Sequence, residues 1–261
     1  MDLGLTDKIA LVSASSQGIG KAIARGLSRE GCRVIICSRN KEKLSKTARE
    51  IEEETHNLVV PIAVDLAQKK SIQNLVSEID SQFKKVDILV NNIAGSPFKI
   101  RDELTEDRWQ EIFNLTVMSQ INLAEAAIEK MKQNQWGRII FVTSVAVKQP
   151  GILIANTQRA SVAAYAKSLA NELGKYKILV NTVCPSFVVT DQYYRVADEV
   201  AKRQGRSRER IMEEWMKNVP LQRPALPDEF ANLVVFLASE KASYITGTCI
   251  SVDGGFVRSL F

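Results

Sequence analysis

The feature that most constrains the fold is a regular alternation of short apolar segments with longer amphipathic ones. Seven apolar runs occur, the first at residues 9–12 and the last at 248–252. Segments with helical periodicity separate them, as at Ile72, Leu75 and Ile79. Strands that alternate with helices pair in parallel, because each helix carries the chain back across the sheet. The pattern therefore predicts an α/β fold, with a seven-stranded parallel sheet and helices on both faces.

The first apolar run leads into a turn of small residues at 13–20, Ser-Ala-Ser-Ser-Gln-Gly-Ile-Gly, and then into a helix with Ile23 and Leu27 on one face. Small residues let the backbone approach a ligand closely. The helix start offers free N–H groups and a positive dipole end to a pyrophosphate. Many such loops are glycine-rich for steric reasons alone, so the turn indicates a dinucleotide only together with the strand–helix alternation. With that alternation, the fold is predicted to be doubly wound and Rossmann-like.

One domain accounts for the whole chain. The 261 residues, 45% of them hydrophobic, can bury one large core, so we expect a single domain over residues 1–261. A polar, mostly helical stretch at about 190–226 interrupts the alternation after a strand end, where open sheets bind ligands. We expect this stretch to form a lid over a substrate site. Plain solvated decoration is the alternative.

Charge and cysteine usage exclude several classes of function. The net charge is +5, with basic residues spread among acidic ones, so we expect no nucleic-acid partner; the mild basic bias suits a phosphorylated cofactor. Four cysteines without metal-ligand spacing and a single histidine, His56, argue against a disulfide scaffold, a metal site and a His-based triad. No apolar run approaches the ~18 residues of a membrane span. We expect a cytoplasmic protein with a small-molecule substrate and no membrane partner.

A set of motifs resembles the short-chain dehydrogenase/reductase family along nearly the whole chain. The motifs are the turn at 13–20, Asp65 after the third apolar run, and segments 87–92, 109–114, 137–144, 167–173, 180–181, 185–190 and 247–255. The resemblance implies a nicotinamide cofactor and a homotetramer. The alanine-rich helix face with Ala160, Ala163, Ala164 and Ala170 would permit close helix packing.

The resemblance also implies where the cofactor lies: the turn would hold the pyrophosphate, Asp65 would face the adenine, and Asn91 would approach the ribose. The second apolar run ends in Ser38-Arg39-Asn40, without a carboxylate for a ribose 2′-hydroxyl. Arg39 offers a fork of donors to a 2′-phosphate, which favours NADP(H) over NAD(H). A solvated Arg39 would leave that choice open. The expected cofactor-binding residues are Ser13, Ser15, Ser16, Gln17, Gly18, Ile19, Gly20, Ser38, Arg39, Asn40, Asp65, Leu66, Asn91, Asn92, Ile93, Arg159, Pro185, Ser186, Val188 and Thr190.

The chain departs from the family at the catalytic positions. The family uses Asn, Ser, Tyr and Lys, and the resemblance puts Asn114 and Ser144 in the first two places. Counting back from segment 167–173 puts Ala155 in the tyrosine place and Arg159 in the lysine place. Counting forward from Ser144 gives Thr157 instead, which is not a tyrosine either. Two glycines usual in the family are also replaced, by Ala14 and Ser186.

The missing tyrosine changes the chemistry that we expect. Alcohol–ketone interconversion loses its acid/base, and a guanidinium is a poor proton shuttle. Hydride addition to a conjugated carbonyl instead develops charge on an oxygen that hydrogen-bond donors can hold. Candidate donors are Ser144, Asn156, Arg159 and a tyrosine of the lid. The sequence thus predicts an NADPH-dependent oxidoreductase for a small carbonyl or conjugated carbonyl compound, with Asn114, Ser144, Asn156 and Arg159 as catalytic candidates.

Two alternatives stay open. One is a 3-oxoacyl or ketone reductase whose proton donor has moved to another residue. The other is a catalytically silent dinucleotide-binding scaffold or regulator, in which Asn114 and Ser144 would be structural. The lid and the segment 96–98 are expected to select the substrate.

Overall fold

The structure is a computed structural model that describes residues 1–93 and 104–260. Within these residues the strands are β1 (Ile9–Ser13), β2 (Arg33–Ser38), β3 (Val59–Ala63), β4 (Ile88–Asn91), β5 (Gly137–Val142), β6 (Ile178–Pro185) and β7 (Cys249–Val252). They form one sheet in the order β3-β2-β1-β4-β5-β6-β7, and all neighbouring strands pair in parallel. The predicted seven-stranded parallel sheet is confirmed.

Helices connect successive strands. They are α1 (Gly18–Arg29), α2 (Lys41–Thr55), α3 (Lys69–Phe83), α4 (Glu106–Phe113), α5 (Ser119–Asn134), α6 (Leu153–Leu173), α7 (Asp191–Gln204), α8 (Arg208–Lys217) and α9 (Pro227–Ala238). The long helix expected over about 105–133 is divided by a π-helical turn at Asn114–Met118. The expected helix at 156–174 begins earlier, at Leu153. The stretch at about 190–226 contains α7 and α8.

Two apolar layers cover the two faces of the sheet. Successive side chains of a strand point to opposite faces, so Ala10 and Val12 join one buried cluster while Ile9 and Leu11 join the other. Helices α1, α2 and α9 contribute to the first cluster, and α3, α5 and α6 contribute to the second. Covering both faces explains why the strands are apolar throughout rather than alternating with polar residues.

The strand order reverses beside β1, whose neighbours are β2 on one side and β4 on the other. Connections from β1 and β4 therefore leave towards opposite faces, and a crevice opens at the carboxyl ends of these strands. The turn after β1 and residues Asn91 and Asn92 after β4 border it. In the part of the chain that the structure describes, no helix has both the length and the apolar character needed to cross a membrane.

A buried carboxylate at the opposite end of the sheet joins β1 to β4. Asp87 is 4% exposed, and its Oδ2 accepts from the Ile9 N–H at 2.9 Å while its Oδ1 pairs with Lys85 at 3.0 Å. Asp87→Ala should lower the free energy of unfolding by about 2–3 kcal/mol, because it leaves the Ile9 N–H buried without an acceptor. Asp87→Asn keeps an acceptor oxygen and should cost less than half as much. Urea unfolding measures both, and equal losses would contradict the role of this bond.

Candidate functional site

A crevice of about 880 Å³ runs along the carboxyl ends of the strands. Its walls come from the turn after β1, the ends of β2 to β6, the start of α6, and α7 with α8. Pockets for small molecules and cofactors have volumes of about 300–1,000 Å³. The crevice can therefore hold a ligand that reaches from the end of β3 to α7 and α8.

The turn after β1 is shaped for close approach to a ligand. A Cβ on Gly20 would lie 2.4 Å from the Ala14 carbonyl oxygen and 2.8 Å from Ser15 Cα, so no larger residue fits. Helix α1 starts at Gly18 with no side-chain cap from Gln17 and no acidic residue in its first turn. Its first N–H groups are therefore available to an anion. Ser16, Gln17, Gly18, Ile19 and Gly20 all line the crevice.

Ala14 has a left-handed backbone conformation, with φ at 47°. At this sequence position the family usually has a glycine. A side chain there costs about 1–2 kcal/mol. The turn thus retains its backbone shape despite the substitution.

Three expected cofactor residues support the turn and do not line the crevice. Ser13 Oγ accepts from the Asn92 N–H at 2.9 Å. Ser15 Oγ donates to the Val12 carbonyl at 2.6 Å and accepts from the Cys37 N–H at 3.1 Å. Asn91 donates to the Gln120 carbonyl at 2.7 Å. The side chains of Ser13, Ser15 and Asn91 therefore support the residues that border the crevice, and their direct contact with a cofactor stays a prediction.

Polar and cationic side chains gather where β2 ends. Ser38, Arg39 and Asn40 line the crevice as expected. The Ser38 hydroxyl is buried and has no hydrogen-bond partner among the described residues. Lys43, which the sequence interpretation missed, also lines the crevice from the first turn of α2. The sequence signal for Lys43 was its position three residues after Asn40, a residue type that caps helices, which places Lys43 in the first turn of α2. The structure has this cap, since Asn40 Oδ1 accepts from the Lys43 N–H at 2.9 Å. Two cations beside an unpaired hydroxyl suit a phosphate group.

The remaining expected cofactor residues lie along the crevice. Asn92 is held by its amide, which donates to the carbonyls of Ser13 and Ala14 at 3.3 and 3.2 Å. Thr190 caps α7 and accepts from the Tyr193 N–H at 3.2 Å. The lining set contains Asp65, Leu66, Asn92, Ile93, Arg159, Pro185, Ser186, Val188 and Thr190.

Arg159 projects from α6 into the other half of the crevice. It is 6% exposed, and its Nη1 is buried with no hydrogen-bond partner in the ranges that the structure covers. Burial lowers the pKa of the guanidinium to about 10, partly opposed by Cys184. The group is therefore still charged at neutral pH. A buried cation without a partner is costly, so the site is suited to a ligand that brings oxygen atoms to it.

Ser144 and Ala155 lie in the same part of the wall. Ser144 Oγ also accepts from the Ala146 N–H at 3.2 Å, so this residue caps a short 3-10 turn while facing the crevice. Ala155 contributes only a methyl group.

Asn156 does not line the crevice, and its catalytic contact stays a prediction. Its Oδ1 accepts from the Gly151 N–H at 2.9 Å, and its Nδ2 donates to the Ala146 and Gln149 carbonyls at 2.6 and 2.8 Å. All its polar atoms are therefore used to hold the loop before α6.

Asn114 does not line the crevice, and its catalytic role stays a prediction. It is exposed, and its Oδ1 accepts from Gln110 at 3.0 Å. Thr116, two positions further along the π-helical turn, is the buried residue and hydrogen-bonds Gln158 of α6. Two positions on a helix are about 200° apart. The sequence signal for this arrangement was the spacing of four residues between Ile112 and Thr116, which places both on the buried face of the helix.

Aromatic rings close the far end of the crevice. Phe187 stacks on Trp215 with centroids 5.3 Å apart and meets Phe256 edge-on at 5.2 Å. Tyr193 lies 6.3 Å from Phe187. These residues come from four separate segments, so no local sequence pattern connects them. The segment 96–98, expected to contribute to substrate selection, lies outside the described residues.

Comparisons with known proteins agree with this geometry. Residues 13–257 match the family model described as enoyl-(acyl carrier protein) reductase. The chain is 31% identical over 259 residues to the NADPH-dependent reductase BacG of Bacillus subtilis, covering 98% of this chain and 100% of the relative. It is 33% identical over 257 residues to the 3-oxoacyl-[acyl-carrier-protein] reductase FabG of Aquifex aeolicus, covering 98% and 99%.

A solved structure shares the whole fold. The L-sorbose reductase of Gluconobacter frateurii, crystallised with NADPH and L-sorbose, superimposes with a TM-score of 0.94 at 33% identity and full coverage of both chains. The match along nearly the entire length, together with the turn after β1, shows that this chain belongs to the short-chain dehydrogenase/reductase family.

Proposed function

We propose that this protein is an NADPH-dependent oxidoreductase that reduces a small carbonyl or conjugated carbonyl compound. The observation that carries the proposal is one crevice lined both by Arg39 and Lys43, which suit a phosphate group, and by Arg159 and Ser144, which can donate to an oxygen. Relatives support it: BacG is named an NADPH-dependent reductase, FabG a 3-oxoacyl reductase, and the sorbose reductase holds NADPH.

The described residues fit NADPH at both ends. The free N–H groups at the start of α1 would bind the pyrophosphate. The Ser38 hydroxyl, which lacks a partner in the described part of the chain, and the cations Arg39 and Lys43 would bind the 2′-phosphate. Arg159 would donate to oxygens at the nicotinamide end. NADPH, when bound, supplies the hydride.

The residues at the reacting end favour a conjugated carbonyl over an isolated ketone. Ala155 supplies no proton. Arg159 stays charged at neutral pH, since its pKa is about 10, so it can stabilise a developing oxyanion but does not give up a proton readily. Ser144 can donate a hydrogen bond to the same oxygen. When hydride adds to the carbon conjugated with the carbonyl, the oxygen needs only such donors, and water can later protonate carbon.

We also propose that α7 and α8 form a lid, that the enzyme is cytoplasmic, and that it assembles as a homotetramer.

The homotetramer is supported by the family and by a face of α6 on which Ala160, Ser161 and Ala164 are exposed. Ala170, expected on that face, is buried. Small residues permit close packing of a second helix. Sedimentation analysis of the full chain tests the assembly.

Cofactor titration followed by a paired-substrate assay tests the proposed function. NADPH should bind at least about tenfold more tightly than NADH, because only NADPH has the 2′-phosphate. With NADPH, cyclohex-2-en-1-one should turn over faster than cyclohexanone. Preference for NADH would contradict the cofactor assignment. Faster reduction of the ketone, with alcohol oxidation in reverse, would favour a ketone reductase with a relocated proton donor, and binding without any turnover would favour the silent scaffold.

A further inference from the structure

Tyr193 has an unusual environment for a buried tyrosine. It lies in the first turn of α7, is 7% exposed, and lines the crevice together with Ser144, Ala155 and Arg159. Its ring packs against the ring of Phe187. The rings of Tyr194 and Trp215 also pack against it, with centroid distances of 5.5 Å and 5.7 Å, respectively. These contacts hold the ring on several sides. The phenol is therefore positioned before any ligand arrives.

The hydroxyl of Tyr193 is buried, and no described residue forms a hydrogen bond with it. Buried tyrosine hydroxyls usually have a partner, and leaving one unpaired costs about 1–3 kcal/mol. Burial also raises the pKa of the Tyr193 phenol. The group is thus a protonated donor at neutral pH that lacks an acceptor within the described chain.

We propose that Tyr193 donates a hydrogen bond to the substrate carbonyl oxygen, from the lid side of the crevice. This inference rests on the proposed function. Hydride from NADPH forms a C–H bond at the conjugated carbon, the former carbon–carbon π pair becomes the double bond to the carbonyl carbon, and the carbonyl π pair moves onto the oxygen, which becomes an enolate. The phenol of Tyr193 stabilises that oxygen without losing its proton, and water supplies the proton that later reaches carbon. Tyr193 thus provides from α7 the contact that Ala155 cannot provide from α6.

Two other tyrosines serve as structural comparisons. The Tyr165 hydroxyl already donates to Glu125 at 2.6 Å, so its proton is engaged away from the crevice. Tyr194 is 38% exposed, and the Arg208 guanidinium lies 5.6 Å from its ring centroid. Tyr194 neighbours Tyr193 on the same helix but does not line the crevice. It is the matched control.

Binding of 4-nitrophenolate to the NADP⁺ complex tests the proposal without turnover. This planar oxyanion resembles an enolate, and its absorbance reports its environment. We expect Tyr193→Phe to weaken its binding about tenfold, the effect of losing one hydrogen bond to a charged oxygen. Tyr194→Phe should leave the affinity unchanged, and all three proteins should bind NADP⁺ equally. Equal 4-nitrophenolate affinity in wild type and Tyr193→Phe, or no binding to the wild-type complex, would overturn the proposal.

Thermal unfolding of the ligand-free proteins is the second readout. Because Tyr193→Phe removes an unpaired buried hydroxyl, its Tm should equal or exceed that of the wild type. A lower Tm would show that the hydroxyl has a partner inside the protein and would overturn the proposal. Failure of wild-type protein to bind NADP⁺ would instead contradict the proposed function, so the two failures are distinguishable.

Discussion

Replacing Arg159 with methionine should stabilise the ligand-free protein while nearly abolishing its reductase activity. The guanidinium is 6% exposed, and Nη1 has no partner among the described residues. Methionine fills similar space without a charge to desolvate. We expect the free energy of unfolding to rise by about 1–3 kcal/mol. Turnover of cyclohex-2-en-1-one should fall about 10²- to 10³-fold, because a preorganised donor to the developing oxyanion is lost.

Arg138→Met is the matched control for this prediction. Arg138 is also buried, but it donates to the Gly137 carbonyl at 3.0 Å and pairs with Glu240 at 3.4 Å. Its replacement should destabilise the protein, since these acceptors lose their donor. Urea unfolding without ligand compares the two variants. A loss of stability in Arg159→Met similar to that in Arg138→Met would contradict the claim that Arg159 awaits a ligand.

The buried charge of Arg159 also predicts how the stability of the protein changes with pH. The pKa of Arg159 in the folded protein lies below its ordinary value, at about 10. Below pH 10 the folded state bears the full cost of the buried charge. Above pH 10 the unfolded state holds the proton more strongly than the folded state, so this contribution to stability becomes less unfavourable as the pH rises. The methionine variant should lack this contribution.

Replacing Arg39 with alanine should weaken NADPH binding by about 100-fold and leave NADH binding nearly unchanged. Hydrogen bonds to a charged group contribute about 1.5–3 kcal/mol, and a guanidinium can bind a phosphate with two of them. NADH has a hydroxyl in place of the 2′-phosphate, so its affinity should change little when Arg39 is replaced. Arg39 is exposed, so the difference between the cofactors should shrink as salt is added.

Arg49→Ala controls for the loss of one positive charge. Arg49 is an exposed residue of the same helix, α2, that follows Arg39, and it does not line the crevice. Fluorescence titration with both cofactors at low and high salt measures the effect. If Arg39→Ala and Arg49→Ala change the ratio of NADPH to NADH affinity equally, Arg39 acts only through net charge and the proposed 2′-phosphate contact is wrong.

Most of the fold could be predicted because local sequence carries it. Strands covered on both faces are continuously apolar, so runs such as 33–37 and 178–183 are visible without any knowledge of their neighbours. The glycine requirement at Gly20 is equally local, since the clash that a side chain would make is with Ala14 and Ser15 of the same turn. Arg39 was predicted for the same reason, because it directly follows a strand end.

Local sequence does not carry the direction in which a helical side chain points. The position of Asn114 relative to other motifs predicts a site residue, whereas the π-helical turn buries Thr116 and leaves Asn114 exposed. Asn156 is close to the crevice along the chain, yet its amide is bonded entirely to the loop that precedes α6. In both cases, a rotation about the helix axis separates a ligand contact from a structural one.

The sequence by itself determined the strand–helix alternation, the dinucleotide-binding turn and the absence of a tyrosine at position 155. Each of these follows from residue identity and short-range periodicity. Only the tertiary structure decided that Lys43 lines the crevice beside Arg39, that Nη1 of Arg159 is buried with no partner among the described residues, and that Tyr193 lines the same crevice. The physical reason is that burial and hydrogen-bond satisfaction depend on atoms from distant segments, which come together only when the sheet and its covering helices are packed.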